Sequence, residues 1–352
     1  MGEARTGGEA ALSGVTAELD AALRHAAAQA PGSAAFAELL DSLHVHVGAG
    51  KLIRPRLVEL GWRLATAGPV PPSGRAAVDR LGAAFELLHT ALLVHDDVID
   101  RDTLRRGQPA VHASARHRLE ARGVPAADAA HAGVAVALIA GDVLLTQAFR
   151  LAATCAAEAA AVVFDAAAVT AAGELEDVLL GLSRHTGEEP DPDRILAMQR
   201  LKTAHYTVGA PLRAGALLAG ADPGLARAMG EAGADLGAAY QVIGDVLGVF
   251  GDPGETGKSA DGDLREGKAT VLTAHGRRIP AVRALLDAAP ATPADIEAAR
   301  RALEAAGARE HALDVAAELT VRARERIAAL PLDETARAEF ADACHAVLTR
   351  RS

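Results

Sequence analysis

The stretch Ala91-Leu92-Leu93-Val94-His95-Asp96-Asp97-Val98-Ile99-Asp100 decides the reading of this chain. Three carboxylates lie within five positions beside an apolar run, and Arg105-Arg106-Gly107 follows. Residues four apart share a helix face, so Asp96 and Asp100 point the same way about one turn apart, with Asp97 about 100° round the axis. Like charges this close call for a cation between them. Two carboxylates on one face suit Mg²⁺, which takes oxygen ligands and divides itself between one or two carboxylates and phosphate oxygens. The arginines add rigid donor forks that match phosphate. Taken alone, the segment also reads as a solvated acidic helix end followed by a basic loop.

Composition sets the fold class. The chain has 352 residues and is 50% hydrophobic but only 3% aromatic. Alanine, the best helix former, is abundant, and apolar residues recur every three or four positions, so an all-α protein is expected. The length suffices for one large core. Residues 1–14 are small and polar and are expected to be disordered; residues 15–352 are expected to form a single domain. A net charge of −10 argues against general affinity for nucleic acid or anionic membrane. Cys155 and Cys344 read as ordinary reduced thiols. The first residues lack a charged-then-apolar pattern, so no signal peptide is expected. The apolar stretch Val134–Leu145 contains Gly141 and Asp142 and is too short to span a bilayer. A soluble cytoplasmic protein with no membrane span is expected.

Helical patterns run through Val15–Ala28, Phe36–Val47 and Pro55–Ala67, and a long helix from about Arg75 ends at the carboxylates. Further helices cover about 131–154, 157–183, 194–220 and 225–250. Pro211 falls inside the third of these and should kink it. A glycine-rich polar loop spans Gly251–Gly267.

Other clusters carry weaker signals. Gly50-Lys51-Leu52-Ile53-Arg54-Pro55 sets two cations three apart at a helix start, suited to an anion or simply a basic helix end. Lys202-Thr203-Ala204 lies in an apolar helix, where the lysine either faces phosphate or snorkels to the surface. Gly254-Glu255-Thr256-Gly257-Lys258-Ser259 imitates a P-loop but has Asp252 where the motif needs glycine, and it follows a helix rather than a strand. Lys258 and Lys268 could still reach phosphates as point charges. Gln241-Val242-Ile243-Gly244-Asp245 offers one carboxylate.

Together, and in this order, these motifs resemble the trans-isoprenyl diphosphate synthases (polyprenyl synthetases), over about Leu43 to Gly276. The resemblance implies the isoprenoid synthase fold, a large all-α bundle around a central cavity, as a homodimer. It implies a prenyltransferase that condenses an allylic diphosphate with isopentenyl diphosphate. Asp96 and Asp100 would bind Mg²⁺ shared with the allylic diphosphate. Arg105, Lys202, Lys258 and Lys268 would hold that diphosphate, and Lys51, Arg54, His89 and Arg106 would hold isopentenyl diphosphate. Thr203 and Gln241 would support the carbocation or the diphosphate. Product length in the family follows the residues just before the first motif; here they are Ala91 and Leu92, without an aromatic, which suggests geranylgeranyl diphosphate (C20).

The second acidic motif departs from the pattern. Gly244 stands where the family has its first aspartate, a ligand of a third Mg²⁺, and only Asp245 remains. Two or three Mg²⁺ are therefore expected, the third held by diphosphate and water with help from Asp245 or Asp252. Alternatives are a class I terpene cyclase-like reaction, to which Gly244, Gly248 and Asp252 match poorly, or an impaired or regulatory subunit of a heteromeric synthase.

Overall fold

The computed structural model describes residues 3–182, 191–251, 264–265, 267–288, 290 and 292–349. These are helical almost throughout, as expected. The one sheet among them is a two-stranded antiparallel hairpin, β1 (Leu104–Arg105) with β2 (Gln108–Pro109), inside the loop expected after Asp100.

The chain divides into two compact units: residues 1–164 with 211–222, and residues 165–210 with 223–352. The first unit holds α1 (Glu3–Gln29), α2 (Ala34–Leu43), α3 (Ile53–Thr66), α4 (Pro72–Ile99), the hairpin, α5 (Val111–Ala121) and α6 (Ala126–Ala152). Helix α4 is its axis. It packs against α1, α3 and α6, and Leu81 to Ala91 are buried without interruption. Gly82 lets it close on Pro55, where a Cβ would meet the proline ring at 2.9 Å.

Helix α7 (Ala157–Gly181) leads into the second unit. There α8 (Pro192–Gln199) runs into a π-helix (Arg200–Gly209), and α10 (Pro223–Phe250) forms the axis; α9 (Ala210–Leu218) lies between them in sequence. Helices α11 (Val271–Arg277), α12 (Pro280–Asp287), α13 (Pro293–Ala305), α14 (Ala308–Ala328) and α15 (Glu334–Leu348) complete the chain. Ile195, Met198, Val242, Leu272, Leu303 and Leu319 share the core of this unit. Several of its helices start on side-chain caps: Asp191 for α8, Thr292 with Asp295 for α13, Asp333 for α15.

Three local expectations change. Helix α1 begins at Glu3, within the residues expected to be disordered; Glu3, Ala4, Glu9, Ala10 and Ala11 favour helix against Gly7, Gly8 and Gly14. Val134–Leu145 is part of a 27-residue helix, α6, that is long and apolar enough to cross a membrane by length and composition; in the first unit it packs on α4 and α5. Pro211 does not simply kink a helix. Proline supplies no N–H for the turn before it, and that turn is wound as π-helix, with the Ala210 N–H donating to His205 O five residues back.

The π-helix is bound to its unit by a buried ionic knot. Asp235 on α10 is fully buried and accepts from Arg200, from Arg322 Nη2 at 2.8 Å and from Arg326 Nε at 2.7 Å. Burial pushes its carboxyl pKa up, but the hydrogen bonds from Arg322 and Arg200 outweigh that and hold it below the usual range. A carboxyl depressed in the folded state stabilises above its ordinary pKa and loses that contribution as pH falls. Asp235→Ala should therefore lower stability by about 3 kcal/mol at neutral pH. Urea unfolding should show the gap to the unmodified protein narrowing below about pH 4.

Candidate active site

The first acidic motif closes α4. The Asp100 N–H donates to Asp96 O at 2.8 Å, which completes the last turn and sets these residues one turn apart, as the spacing demands. Asp97, which the spacing left off the shared face, is buried and serves a different purpose. Arg105 Nε donates to Asp97 Oδ1 at 2.6 Å, and Arg105 Nη2 reaches the same oxygen, Asp96 Oδ2 at 3.4 Å and Asp102 Oδ2 at 3.2 Å. One guanidinium thus gathers three carboxylates. Burial pushes the Asp97 carboxyl up to about 6 even with this cation against it.

The hairpin delivers that arginine. Arg106 and Gly107 both have positive φ, 53° and 74°, as a two-residue primed turn requires. Holding a non-glycine residue there costs about 1–2 kcal/mol, and the turn places Arg105 and Arg106 side by side. Arg106 lies over Gly50, where a Cβ would stand 2.9 Å from Nη2. The sequence-assigned cations therefore assemble: Arg106 beside the Gly50-Lys51 segment, and Arg54, 7% exposed, in the helix that follows. His89 is buried, and its ring pKa is held well below the usual range by burial and by the Arg54, Arg106 and Arg105 guanidiniums. A neutral imidazole among cations is what an anion pocket looks like before the anion arrives. Sequence reading missed Glu86, one turn before His89. It is buried, its Oε2 lies 3.8 Å from Arg54 Nη1, and burial pushes its carboxyl pKa up.

The Gly141-Asp142 pair acquires a packing role. A Cβ on Gly141 would sit 2.0 Å from His95 Nε2, so with glycine there α6 lies directly against the ring of the residue preceding Asp96.

In the second unit, Lys202 Nζ contacts Asp177 Oδ2 at 2.6 Å and Glu174 at 3.1 Å, both on α7 and both missed by sequence reading. Their i, i+3 spacing on one helix face was the available signal. Thr203 follows on the π-helix and is half-buried. Asp245 is buried, and each of its oxygens accepts an amide hydrogen bond: Oδ1 from Gln241 Nε2 at 2.7 Å, Oδ2 from Gln199 Nε2 at 2.6 Å. Lys268 precedes α11, and its carbonyl accepts from Thr273. Lys258, Asp252 and the P-loop imitation lie outside the described residues.

Among the described residues, no group of three or more His, Cys, Asp or Glu is arranged to hold a metal. Asp96 and Asp100 give an all-oxygen, open donor pair. That fits a hard cation completing its shell with water and phosphate, and does not fit a closed structural metal site.

The chain matches the polyprenyl synthetase family model over residues 37–305. It is 32% identical to geranylfarnesyl diphosphate synthase of Aeropyrum pernix, with 82% of this chain and 86% of that one covered. It is 31% identical to nonaprenyl diphosphate synthase of Mycobacterium tuberculosis, with 82% and 80% covered. Geranylgeranyl pyrophosphate synthase from Corynebacterium glutamicum, solved in complex with isoprenyl diphosphate and magnesium, superposes with a TM-score of 0.84 at 30% identity, over 97% of this chain and 98% of that one.

Proposed function

The chain belongs to the polyprenyl synthetase family, and on that premise we propose that it elongates an allylic diphosphate with isopentenyl diphosphate, head to tail, to geranylgeranyl diphosphate. The observation that carries the reading is the cationic cluster of Arg54, Arg105 and Arg106 around neutral His89, next to the carboxylates that close α4.

In this reaction the allylic C–O bond breaks and its electron pair leaves with the diphosphate. The double bond of isopentenyl diphosphate attacks the cation, and the adduct loses a proton to the departed diphosphate. No side-chain nucleophile is needed. Arg105, Lys202, Lys258 and Lys268 bind the allylic diphosphate and stabilise the charge that develops on it. Lys51, Arg54, His89 and Arg106 bind isopentenyl diphosphate. Thr203 and Gln241 support the carbocation or the diphosphate through their dipoles. Asp96 and Asp100 hold Mg²⁺, with Asp245 as the carboxylate on the second motif; bound Mg²⁺ supplies Lewis-acid stabilisation of the leaving group.

Ala91 is fully buried and Leu92 half-buried, with no aromatic side chain before the first motif, which supports a product longer than fifteen carbons. The test is incubation with farnesyl and isopentenyl diphosphates at varied Mg²⁺. A C20 product is expected, and a strict C15 stop would sink the assignment. Gly244 favours a second reading, an impaired or regulatory subunit. Turnover that appears only in Gly244→Asp would establish it, and a hydrocarbon formed without isopentenyl diphosphate would show a cyclase-like reaction instead.

The protein is proposed to act as a soluble cytoplasmic homodimer. Leu175, Val178, Leu179 and Leu182 form an exposed apolar stripe at i, i+3, i+4 and i+7 along and just past the end of α7. Light scattering should give twice the chain mass of 36.0 kDa, and Leu179→Glu should shift it toward the monomer.

A further inference from the structure

Asp245 is the carboxylate that the second motif keeps, since Gly244 occupies the other position. Its support comes from two directions. Gln241 lies one turn earlier on the same helix and donates to Oδ1. Gln199 is 46 residues away in sequence, at the last position of α8, and donates to Oδ2 at 2.6 Å. Both partners of this contact are buried, Gln199 at 4% exposure and Asp245 at 6%.

The contact settles which way the Gln199 amide faces. Turned over, the amide would set its oxygen against a carboxylate oxygen. In the orientation found, Gln199 Oε1 is buried and has no hydrogen-bond partner among the described residues. Leaving a buried acceptor unpaired is expensive, and the glutamine carries that cost while giving the buried Asp245 carboxylate a donor on Oδ2. That second donor, on the oxygen opposite the one Gln241 holds, stops the carboxylate from rotating.

We infer that Gln199 is a positioning residue for the Asp245 carboxylate, pre-setting it toward a divalent cation carried by a bound diphosphate, on the motif where Gly244 offers no ligand. The inference deepens the proposed synthase reading and rests on it for the identity of the ligand. Groups that orient a metal-associated ligand are commonly worth 10–100-fold in metal affinity.

The test uses the full-length protein and Gln199→Met, which keeps length and apolar volume but cannot donate to Asp245. Mg²⁺ is titrated calorimetrically into each protein with inorganic diphosphate present, and melting temperatures are recorded. The affinity for Mg²⁺ is expected to fall about tenfold or more in the variant; a donor is also withdrawn from a buried carboxylate, so the melting temperature is expected to fall as well. If Gln199→Met does not fold, Gln199→Leu answers the same question. Unchanged Mg²⁺ affinity in a folded variant overturns the inference whatever the melting temperature does, as does an unmodified protein with no diphosphate-dependent Mg²⁺ binding. Elongation is assayed separately. Its absence alongside a tenfold affinity loss sinks the synthase reading and leaves Gln199 in its role; its presence alongside equal affinities sinks Gln199 alone.

Discussion

Gly173→Ala is expected to lower kcat/KM about a hundredfold and to cost about 2–3 kcal/mol in stability, although residue 173 bears no functional group. A Cβ on Gly173 would lie 2.1 Å from Lys202 N, 2.5 Å from Lys202 Cα and 2.6 Å from Leu201 C. All three are backbone atoms, so no side chain can swing aside to relieve the clash. Either α7 or the π-helix must retreat, by on the order of 1 Å. The π-helix has little room on its other side, where a Cβ on Gly237 of α10 would meet Ala204 Cα at 2.8 Å. Overpacking of this kind costs roughly 1–3 kcal/mol, and a 1 Å misplacement of a group that binds the reacting substrate costs about 10²-fold. The retreat also separates Lys202 from Glu174 and Asp177, which share α7 with Gly173. Steady-state kinetics and urea unfolding on one preparation check both numbers. Near-normal kcat/KM would mean that Lys202 is not a substrate-binding group.

Arg105→Leu should be the most damaging change in the first unit, with kcat/KM down at least about 10³-fold, equivalent to about 4 kcal/mol of lost transition-state stabilisation. The arginine has two expected duties. It is to bind diphosphate, and it already neutralises Asp96, Asp97 and Asp102, which without it repel one another. Breaking a buried pair by removing one partner costs about 3–5 kcal/mol, and the partial exposure of Arg105 places this case near 3. The loss depends on pH in a definite direction. The Asp97 carboxyl titrates near 6 in the folded protein, above its ordinary value, so its ionisation opposes folding as pH climbs from about 4 to 6. Without Arg105 that opposition grows, because a stabilising cation is gone. The melting-temperature gap between Arg105→Leu and the unmodified protein should thus be wider at pH 7 than at pH 5. Arg105→Lys restores the charge but not the fork that reaches three carboxylates, and should fall between the two. A gap that stays constant between pH 5 and pH 7 would show Asp97 to be neutral in the folded protein across the range.

Much of the fold was legible from the chain alone. The helix class followed from alanine and from three-to-four spacing, because these act within a few residues. The long helix ending at the carboxylates was read to within a few residues at each end, since a proline- and glycine-rich stretch marks its start; Pro72 itself takes the first turn, three residues before the start read at Arg75. The misreadings had local causes too. Small and polar residues near the N-terminus, Gly7, Gly8 and Gly14 among them, hid a helix, and Pro211 suggested a kink where the backbone rewinds as π-helix, since proline's missing N–H can be accommodated in more than one way.

The sequence by itself determined which chemistry-bearing residues exist and in what order, and that order carried the family. The tertiary structure decided which groups serve them. Asp97 rather than Asp96 is the main anchor of Arg105; Glu174 and Asp177 face Lys202; Gln199 holds Asp245; Asp235 gathers Arg200, Arg322 and Arg326. Most of these pairs join residues 25 to 91 positions apart. Helical periodicity fixes a residue's face only relative to neighbours three or four positions away. Which distant side chain meets that face depends on how whole helices pack, and here glycines set the approach, at 141 against His95 and at 173 against Lys202.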